Sequence, residues 1–307
     1  MAKKRTNPDE RLGRWAEKHL GLVPLDRALR VGLTSRQVQL RARRGRLVRV
    51  RHGVYRVNGA PVTADQQAYA AVLAAGPAAV VGGLSALALF RLVEAPKQPR
   101  LTVPPLASAR TPGAIVLRSP LSSADRTHVG PIPCTTVPRA LVEVARDLDQ
   151  AHLDDLVDSA IHRDLASTSA ILGAIRRAPA GWGRAGADNL RRALHPWLGT
   201  VAAESPGEAR LLRRLLEWGL PEPERQHPVE LGPTIVRLDV AWPDHLVGLE
   251  YDGEEFHGPR RLAADEQREA ALRARGWWIG RVDRHDLAPS STRLLDELRP
   301  RLLVPAA

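Results

Sequence analysis

The chain holds a single cysteine, Cys134, in 307 residues. That excludes an intramolecular disulfide framework and any multi-cysteine zinc module. Lysine is almost as scarce, standing only at positions 3, 4, 18 and 97. No apolar segment follows the charged opening Met-Ala-Lys-Lys-Arg-Thr-Asn-Pro-Asp-Glu, so the sequence predicts no signal peptide and a cytoplasmic protein. A charge-free stretch does run from Ala68 to Phe90, long enough to cross a bilayer. Gly76-Pro77 and Gly82-Gly83 interrupt it, and it reads as helix, turn, short strand (79–81) and helix (85–92). No membrane partner is expected. Apolar residues at 44% and charged residues at 26% describe an ordinary globular chain, and its length predicts two or three domains.

The net charge of +11 is unevenly placed. Residues 1–60 carry 16 basic and 4 acidic side chains, residues 61–200 carry 14 and 11, and residues 201–307 carry 15 and 19. The whole basic excess therefore sits in the first fifth of the chain. A compact basic segment on a near-neutral body points to a polyanion as partner. A preference for arginine as such accounts for the scarcity of lysine, but not for the avoidance of acids in this segment.

Local signals in residues 1–60 predict helices over 10–19, 25–30 and 35–44, then strands over 47–50 and 54–57. Thr34 is placed as an N-cap with Gln37 as its capping-box partner. Gly32 and Gly45 end the second and third helices. Helix, helix, turn, helix and hairpin make a winged helix-turn-helix. Arg36, Gln37 and Gln39 are expected to read base edges, with Arg43 on the same outer face. Arg46, Arg49 and Arg51 on the wing are expected to contact phosphates. A small solvated domain used for protein contacts is the alternative.

The runs Gly32-Leu33-Thr34-Ser35-Arg36-Gln37, Gly45-Arg46-Leu47-Val48-Arg49-Val50 and His52-Gly53-Val54-Tyr55-Arg56 resemble the amino-terminal domain of type IV abortive-infection antitoxins. The likeness continues through Ala79–Ala86 and Pro131–Leu141. It implies a winged helix that binds operator DNA, a following α/β domain with the antitoxin role, and a toxin or operon partner.

Residues 61–135 read as mixed α/β, with strands near 100–103 and 114–118, and residues 136–200 as helical, over 139–148, 151–162 and 169–177. Asp154, Asp155 and Asp158 read as a solvated helix face, because Leu153, Leu156 and Val157 supply the buried one. Residues 181–186 read as a linker or loop.

The strongest chemical signal follows residue 200. Ser205-Pro206-Gly207-Glu208 opens a helix with Ser as N-cap, Pro at N1 and Glu at N3. Strands are predicted over 225–229, 235–242, 246–252 and 277–282, and helices over 262–275 and 292–299. A hairpin centred on the Asp244–His245 bond sets Asp239 opposite Glu250, where cross-strand Cβ atoms stand ~4.5–5.5 Å apart. Period-two alternation adds Asp252 to that face and turns Val236, Leu238, Val240, Val247 and Leu249 to the core. Gathered carboxylates call for a cation, and oxygen donors suit Mg²⁺ or Mn²⁺. The alternative pairs Arg237 with Asp252 and leaves the acids as surface groups.

Helix, strand, acidic hairpin, helix, strand resembles the restriction-endonuclease-like core. Arg237-Leu238-Asp239-Val240, Leu249-Glu250-Tyr251-Asp252-Gly253, His257, Asp265, Arg268, Leu272, Gly276 and Arg281-Val282 are similar to the very-short-patch-repair-like endonuclease domain, over residues 204–303. The resemblance implies that Asp239 is the principal metal ligand and that Glu250 is a second ligand or holds a metal-bound water. Asp252 and His257 take water-activating or phosphate-facing places, and Glu208 approaches the same site besides capping its helix. Asp265 and Arg268 read as a pair along their helix, with contact between Arg268 and phosphate as the alternative. One departure stands out: many restriction-type nucleases use Glu-x-Lys, and here Asp252 occupies the lysine position. His257 acts as base, or a second metal supplies hydroxide, or the fold is inactive and kept for binding.

The expected architecture is therefore multidomain α/β: a winged helix-turn-helix over 1–60, an antitoxin-like α/β and helical middle over 61–200, and an αβββαβ restriction-endonuclease-like domain over 201–307. The expected function is metal-dependent DNA endonuclease. The alternatives are a non-catalytic antitoxin-like repressor with a vestigial nuclease fold, or an RNA-directed nuclease.

Overall fold

A computed structural model describes residues 7–108, 111–179, 184–199, 201–252 and 259–303, with the side chains of 184 and 259–265 excepted. The chain is mixed α/β and divides into two compact units. One comprises Met1–Leu156 and Arg163–Leu190, the other Val157–His162 and Arg191–Ala307. No helix among the described residues is long and apolar enough to cross a membrane.

The first unit opens with α1 (Pro8–Lys18), β1 (Leu22–Pro24), α2 (Leu25–Arg30), α3 (Ser35–Arg43), β2 (Leu47–Arg51) and β3 (Val54–Val57). Strand β1, absent from the sequence reading, pairs with β3 to give a three-stranded sheet of order β1-β3-β2. It is only three residues long, too short for period-two alternation to register. The helices are set by their caps. Thr34 Oγ1 accepts the Gln37 N–H at 3.2 Å while Gln37 Oε1 accepts the Thr34 N–H at 2.8 Å. Leu12, Ala16, Val23, Ala28, Val38 and Tyr55 close one apolar core over this sheet.

The same unit continues with α4 (Ala64–Ala75), β4 (Val80–Val81), α5 (Gly83–Leu89), β5 (Arg100–Val103), β6 (Ile115–Arg118), β7 (Arg126–Val129), β8 (Ile132–Thr135), α6 (Val137–Val144), the first half of α7 (Gln150–His162), whose residues 157–162 count with the second unit, and α8 (Thr168–Arg177). A mixed sheet runs β6-β5-β4-β8-β7. Under it the fully buried Arg139 donates from Nε to Glu143 at 3.0 Å and from Nη2 to Ser119 Oγ at 2.7 Å. Glu143 also accepts from Thr102 Oγ1 at 3.0 Å and from the Gly83 N–H at 2.6 Å. This network needs glycine at position 82. A Cβ there would stand 2.1 Å from Thr102 Oγ1 and 2.7 Å from Glu143 Oε2. Gly82→Ala is expected to cost about 1–3 kcal/mol or more in urea unfolding; an unchanged midpoint would show that the network can move aside.

The helix α9 (Arg184–Leu194) occupies residues read from sequence partly as a linker. The second unit holds α10 (Pro206–Glu217), β9 (Glu224–Leu231), β10 (Thr234–Trp242), β11 (Val247–Tyr251), α11 (Pro259–Ala274), β12 (Trp278–Val282) and α12 (Arg293–Leu302). Its sheet has the order β12-β11-β10-β9, with β11 and β12 parallel and the other pairs antiparallel. Val229, Val236, Leu238, Ala241, Leu272 and Trp277 form its apolar cluster.

One helix face differs from expectation. Asp158 is not solvated but buried, because Arg213 on α10 forks onto it with bonds of 2.8 and 2.6 Å and Trp197 Nε1 donates to it at 2.7 Å. Asp155 is exposed, and Asp154 accepts from Gln150 at 2.7 Å.

Candidate functional site

The hairpin of β10 and β11 has the register that its symmetry about residues 244 and 245 requires. Val240 faces Leu249, Ala241 faces Gly248 and Trp242 faces Val247. A short 3₁₀ turn over Pro243–His245 and Leu246 in the left-handed region close it. The ladder ends at Val240 and Leu249. One step on, the Asp239 carboxylate takes the Tyr251 N–H at 2.9 Å. The side chain has replaced a ladder acceptor, so Asp239 is fixed where β10 and β11 part.

On the other side of β10, the register that pairs Arg225 with Val240 and His227 with Leu238 brings Gln226 to Asp239. Gln226 has a left-handed backbone, φ +50°. Its Nε2 donates to Glu208 Oε2 at 3.1 Å and lies 3.5 Å from Asp239 Oδ1. Glu208 reaches this point from the first turn of α10. The Ser205 hydroxyl accepts the Glu208 N–H at 3.2 Å and donates to Glu208 Oε1 at 3.1 Å, and the Glu204 N–H donates to Oε2 at 3.0 Å. Helix capping and site geometry thus use the same carboxylate. Gly207 lets the helix approach, since a Cβ there would lie 1.9 Å from the Tyr251 ring.

Burial sets the electrostatics. It raises the pKa of Asp239, opposed by the bonds from Tyr251 and Gln226 and by the nearby Arg268 charge. It raises that of Glu208 as well, and the Asp239 charge adds to the effect. Both carboxylates are half-buried.

Glu250 is engaged differently. Arg268 on α11 donates to Glu250 Oε1 and to the Arg237 carbonyl, the latter at 3.3 Å. A helix pair with Asp265 was expected for Arg268; the side chain of Asp265 lies outside the described residues. Asp252 is exposed, 4.0 Å from Arg281 Nη1, and Arg237 pairs with Glu204 at 2.9 Å rather than with Asp252. His257 lies outside the described residues. The structure therefore joins Glu208 to Asp239 through Gln226 and places Glu250 under an arginine. Among the described residues, no three acidic, histidine or cysteine side chains converge as a metal-holding group, so the expected gathering of Asp239, Glu250 and Asp252 is not formed there. Sequence reasoning missed Gln226, and it named Arg268 without finding its partner Glu250. The β9–β10 register would have found the first; nothing in the spacing shows which strand residue a helix arginine will meet.

In the basic segment, Arg36, Gln39 and Arg43 are exposed on or beside the outer face of α3. None of the three has a hydrogen-bond or ion-pair partner among the described residues. Gln37 spends its carbonyl oxygen on the capping box. Arg46 is exposed, and Arg49 Nη2 lies 3.0 Å from His52 Nδ1. Arg51 is half-buried and donates to the Pro112 carbonyl at 2.6 Å, so it clamps a neighbouring loop instead of standing clear on the hairpin.

No family model matches the chain. It is similar to two uncharacterized proteins of Mycobacterium tuberculosis, MT2308 of strain CDC 1551 / Oshkosh and Rv2248 of strain H37Rv. Each is 29% identical over 251 residues, covering 80% of this chain and 89% of the relative. Among solved structures, the RV2827C protein from Mycobacterium tuberculosis aligns with a TM-score of 0.42 and 16% identity, over 66% of this chain and 80% of that one.

Proposed function

We propose that this chain is a metal-dependent DNA endonuclease: its second unit carries a restriction-endonuclease-like hydrolytic site, and its amino-terminal region docks on duplex DNA as a winged helix-turn-helix. The observation that carries this reading is the pairing of Glu208 and Asp239, two half-buried carboxylates held by one carboxamide where two strands part. Like charges kept together at a cost to their ionisation are a mark of functional sites.

The donor set suits a hard divalent cation, having carboxylate oxygens and no sulfur. Asp239 and Glu250 would hold Mg²⁺ or Mn²⁺, with Glu208 beside Asp239. When bound, the ion supplies an activated water and stabilises charge on the reacting phosphate. The Tyr251 N–H and Gln226 orient Asp239, and Arg268 pairs with Glu250. Exposed Arg36, Gln39 and Arg43 would meet the major groove, and Arg46 and Arg49 the phosphates.

Incubation of the purified chain with duplex DNA and Mg²⁺ or Mn²⁺ tests the reading. Nicking or cutting that is lost in Glu250→Gln is expected. Two observations favour a second reading, a repressor with a vestigial nuclease fold: Arg268 already neutralises Glu250, and Asp252 stands where a lysine would act. On that reading the chain binds DNA tightly and cleaves nothing. For docking, Arg46→Ala is expected to weaken binding on all sequences alike and to lower the salt slope by about 1. An unchanged slope would remove Arg46 from the interface.

A further inference from the structure

We propose that the first unit contains a binding site for a small organic anion built on a flat ring. A cavity of about 650 Å³ opens among α1, α2, the β2–β3 turn, α4 and the β7–β8 turn. Its wall includes Trp15, Arg27, His52, Tyr69, Leu73 and His128. The volume lies within the ~300–1,000 Å³ usual for small-ligand sites. None of these residues belongs to the carboxylate site of the second unit or to the exposed face of α3, so the proposal stands apart from the nuclease reading.

The wall specifies what enters. The Arg27 guanidinium lies over the Trp15 ring, 4.2 Å from its centre, and makes no hydrogen bond or ion pair among the described residues. Trp15 Nε1 and Arg27 Nε are both buried N–H donors with no acceptor among the described residues. Both atoms are closed to solvent, so what the cavity meets is the Arg27 guanidinium in its wall, a cation with no acid bonded to it among the described residues. Asp26, the one acidic residue of the wall among the described residues, is already paired with Arg30. The charge of Arg27 is thus uncompensated, which selects an anion. Much of the remaining lining is apolar or aromatic, including Pro24, Leu25, Val72 and Pro133, and such a surface takes a ring. Burial raises the Tyr69 phenol pKa, so its hydroxyl stays protonated at neutral pH. A carboxylate or phosphate against the Arg27 guanidinium, with its ring toward Tyr69 and Leu73, meets each of these features.

Aromatic carboxylates and nucleoside monophosphates share this chemistry. Calorimetric titration of the full chain with 4-hydroxybenzoate and, separately, with AMP distinguishes them, with phenol as the neutral comparison. One of the two anions is expected to bind, at least about tenfold more tightly than phenol, because hydrogen bonds to a charged group are at stake. Arg27→Gln is expected to lower that affinity about tenfold or more, and Leu73→Trp, which fills the cavity, to abolish it. Circular dichroism establishes that each variant is folded, and the comparison with phenol needs no variant at all. Failure of both anions to bind at millimolar concentration overturns the proposal, as does binding that is the same in both folded variants or no tighter than that of phenol.

Discussion

Asp239→Asn is expected to raise the thermal stability of the second unit at neutral pH and, in the same molecule, to lower metal-dependent DNA cleavage by about 100-fold or more. The stability follows from the direction of the pKa shift. Burial lifts the folded-state pKa of Asp239 above its ordinary value. The folded chain therefore holds this proton more readily than the unfolded chain, and stability falls as pH rises from the ordinary carboxylate range through the folded pKa. Above that window the ionised group weakens the fold in full; below it, Asp239 is protonated in both states and the variant has no advantage. Asparagine keeps an oxygen to accept the Tyr251 N–H, whose bond to Asp239 measures 2.9 Å, so little geometry is lost. On the proposed function, the loss of cleavage follows from removing a metal ligand, since even residues behind metal ligands change activity by ~10–100-fold. Melting curves across the acid-to-neutral range, with a plasmid nicking assay, check both parts. A variant less stable than the parent at neutral pH contradicts the electrostatics, and full cleavage contradicts the site.

Asp158→Ala is expected to cost about 3–5 kcal/mol, the usual penalty for stranding one partner of a buried ion pair. Arg213 keeps 9% of its side-chain surface and Asp158 1%. The carboxylate takes two bonds from the guanidinium and one from Trp197, while Arg213 also donates to the Ala193 carbonyl at 2.6 Å. Removing Asp158 leaves a guanidinium and an indole N–H in a site closed to water. The paired change Asp158→Leu with Arg213→Met removes both charges and is expected to lose much less. Urea unfolding measures each. A single-variant cost below about 1 kcal/mol would mean that water reaches Arg213, contrary to its burial.

These two sites differ in how far the amino-acid sequence announced them. The order of elements in the second unit was legible because its signals are local: Ser205 and Pro206 start a helix, Gly253 and Gly276 mark the ends of a strand and a helix pattern, and Val236, Leu238, Val240, Val247 and Leu249 alternate. The hairpin register was legible as well, since a turn at residues 243–245 leaves one symmetric pairing. Symmetry gave no sign that the ladder would stop before Asp239, where a side chain competes for the Tyr251 amide. The burial of Asp158 was invisible for a different reason. Its helix shows acids at 154, 155 and 158 on what reads as one wet face, and only the approach of Arg213, 55 residues along the chain, turns position 158 inward. In the first unit, Arg51 looked like its arginine neighbours until the loop carrying Pro112 was placed against it. Caps and periodicity are written within a few residues; the partner of a long charged side chain is decided by tertiary packing.

Direct measurement of Mn²⁺ binding tests the central claim, because it asks about the carboxylates without assuming a substrate. Titration of the purified chain, followed by the loss of the free-ion electron paramagnetic resonance signal, is expected to show saturable binding. That binding is expected to weaken sharply in Asp239→Asn and in Glu208→Gln, and to strengthen in Arg268→Ala, which removes a cation paired with Glu250. Equal binding in the parent and all three variants, or none in any of them, would contradict the assignment of these acids to a divalent ion.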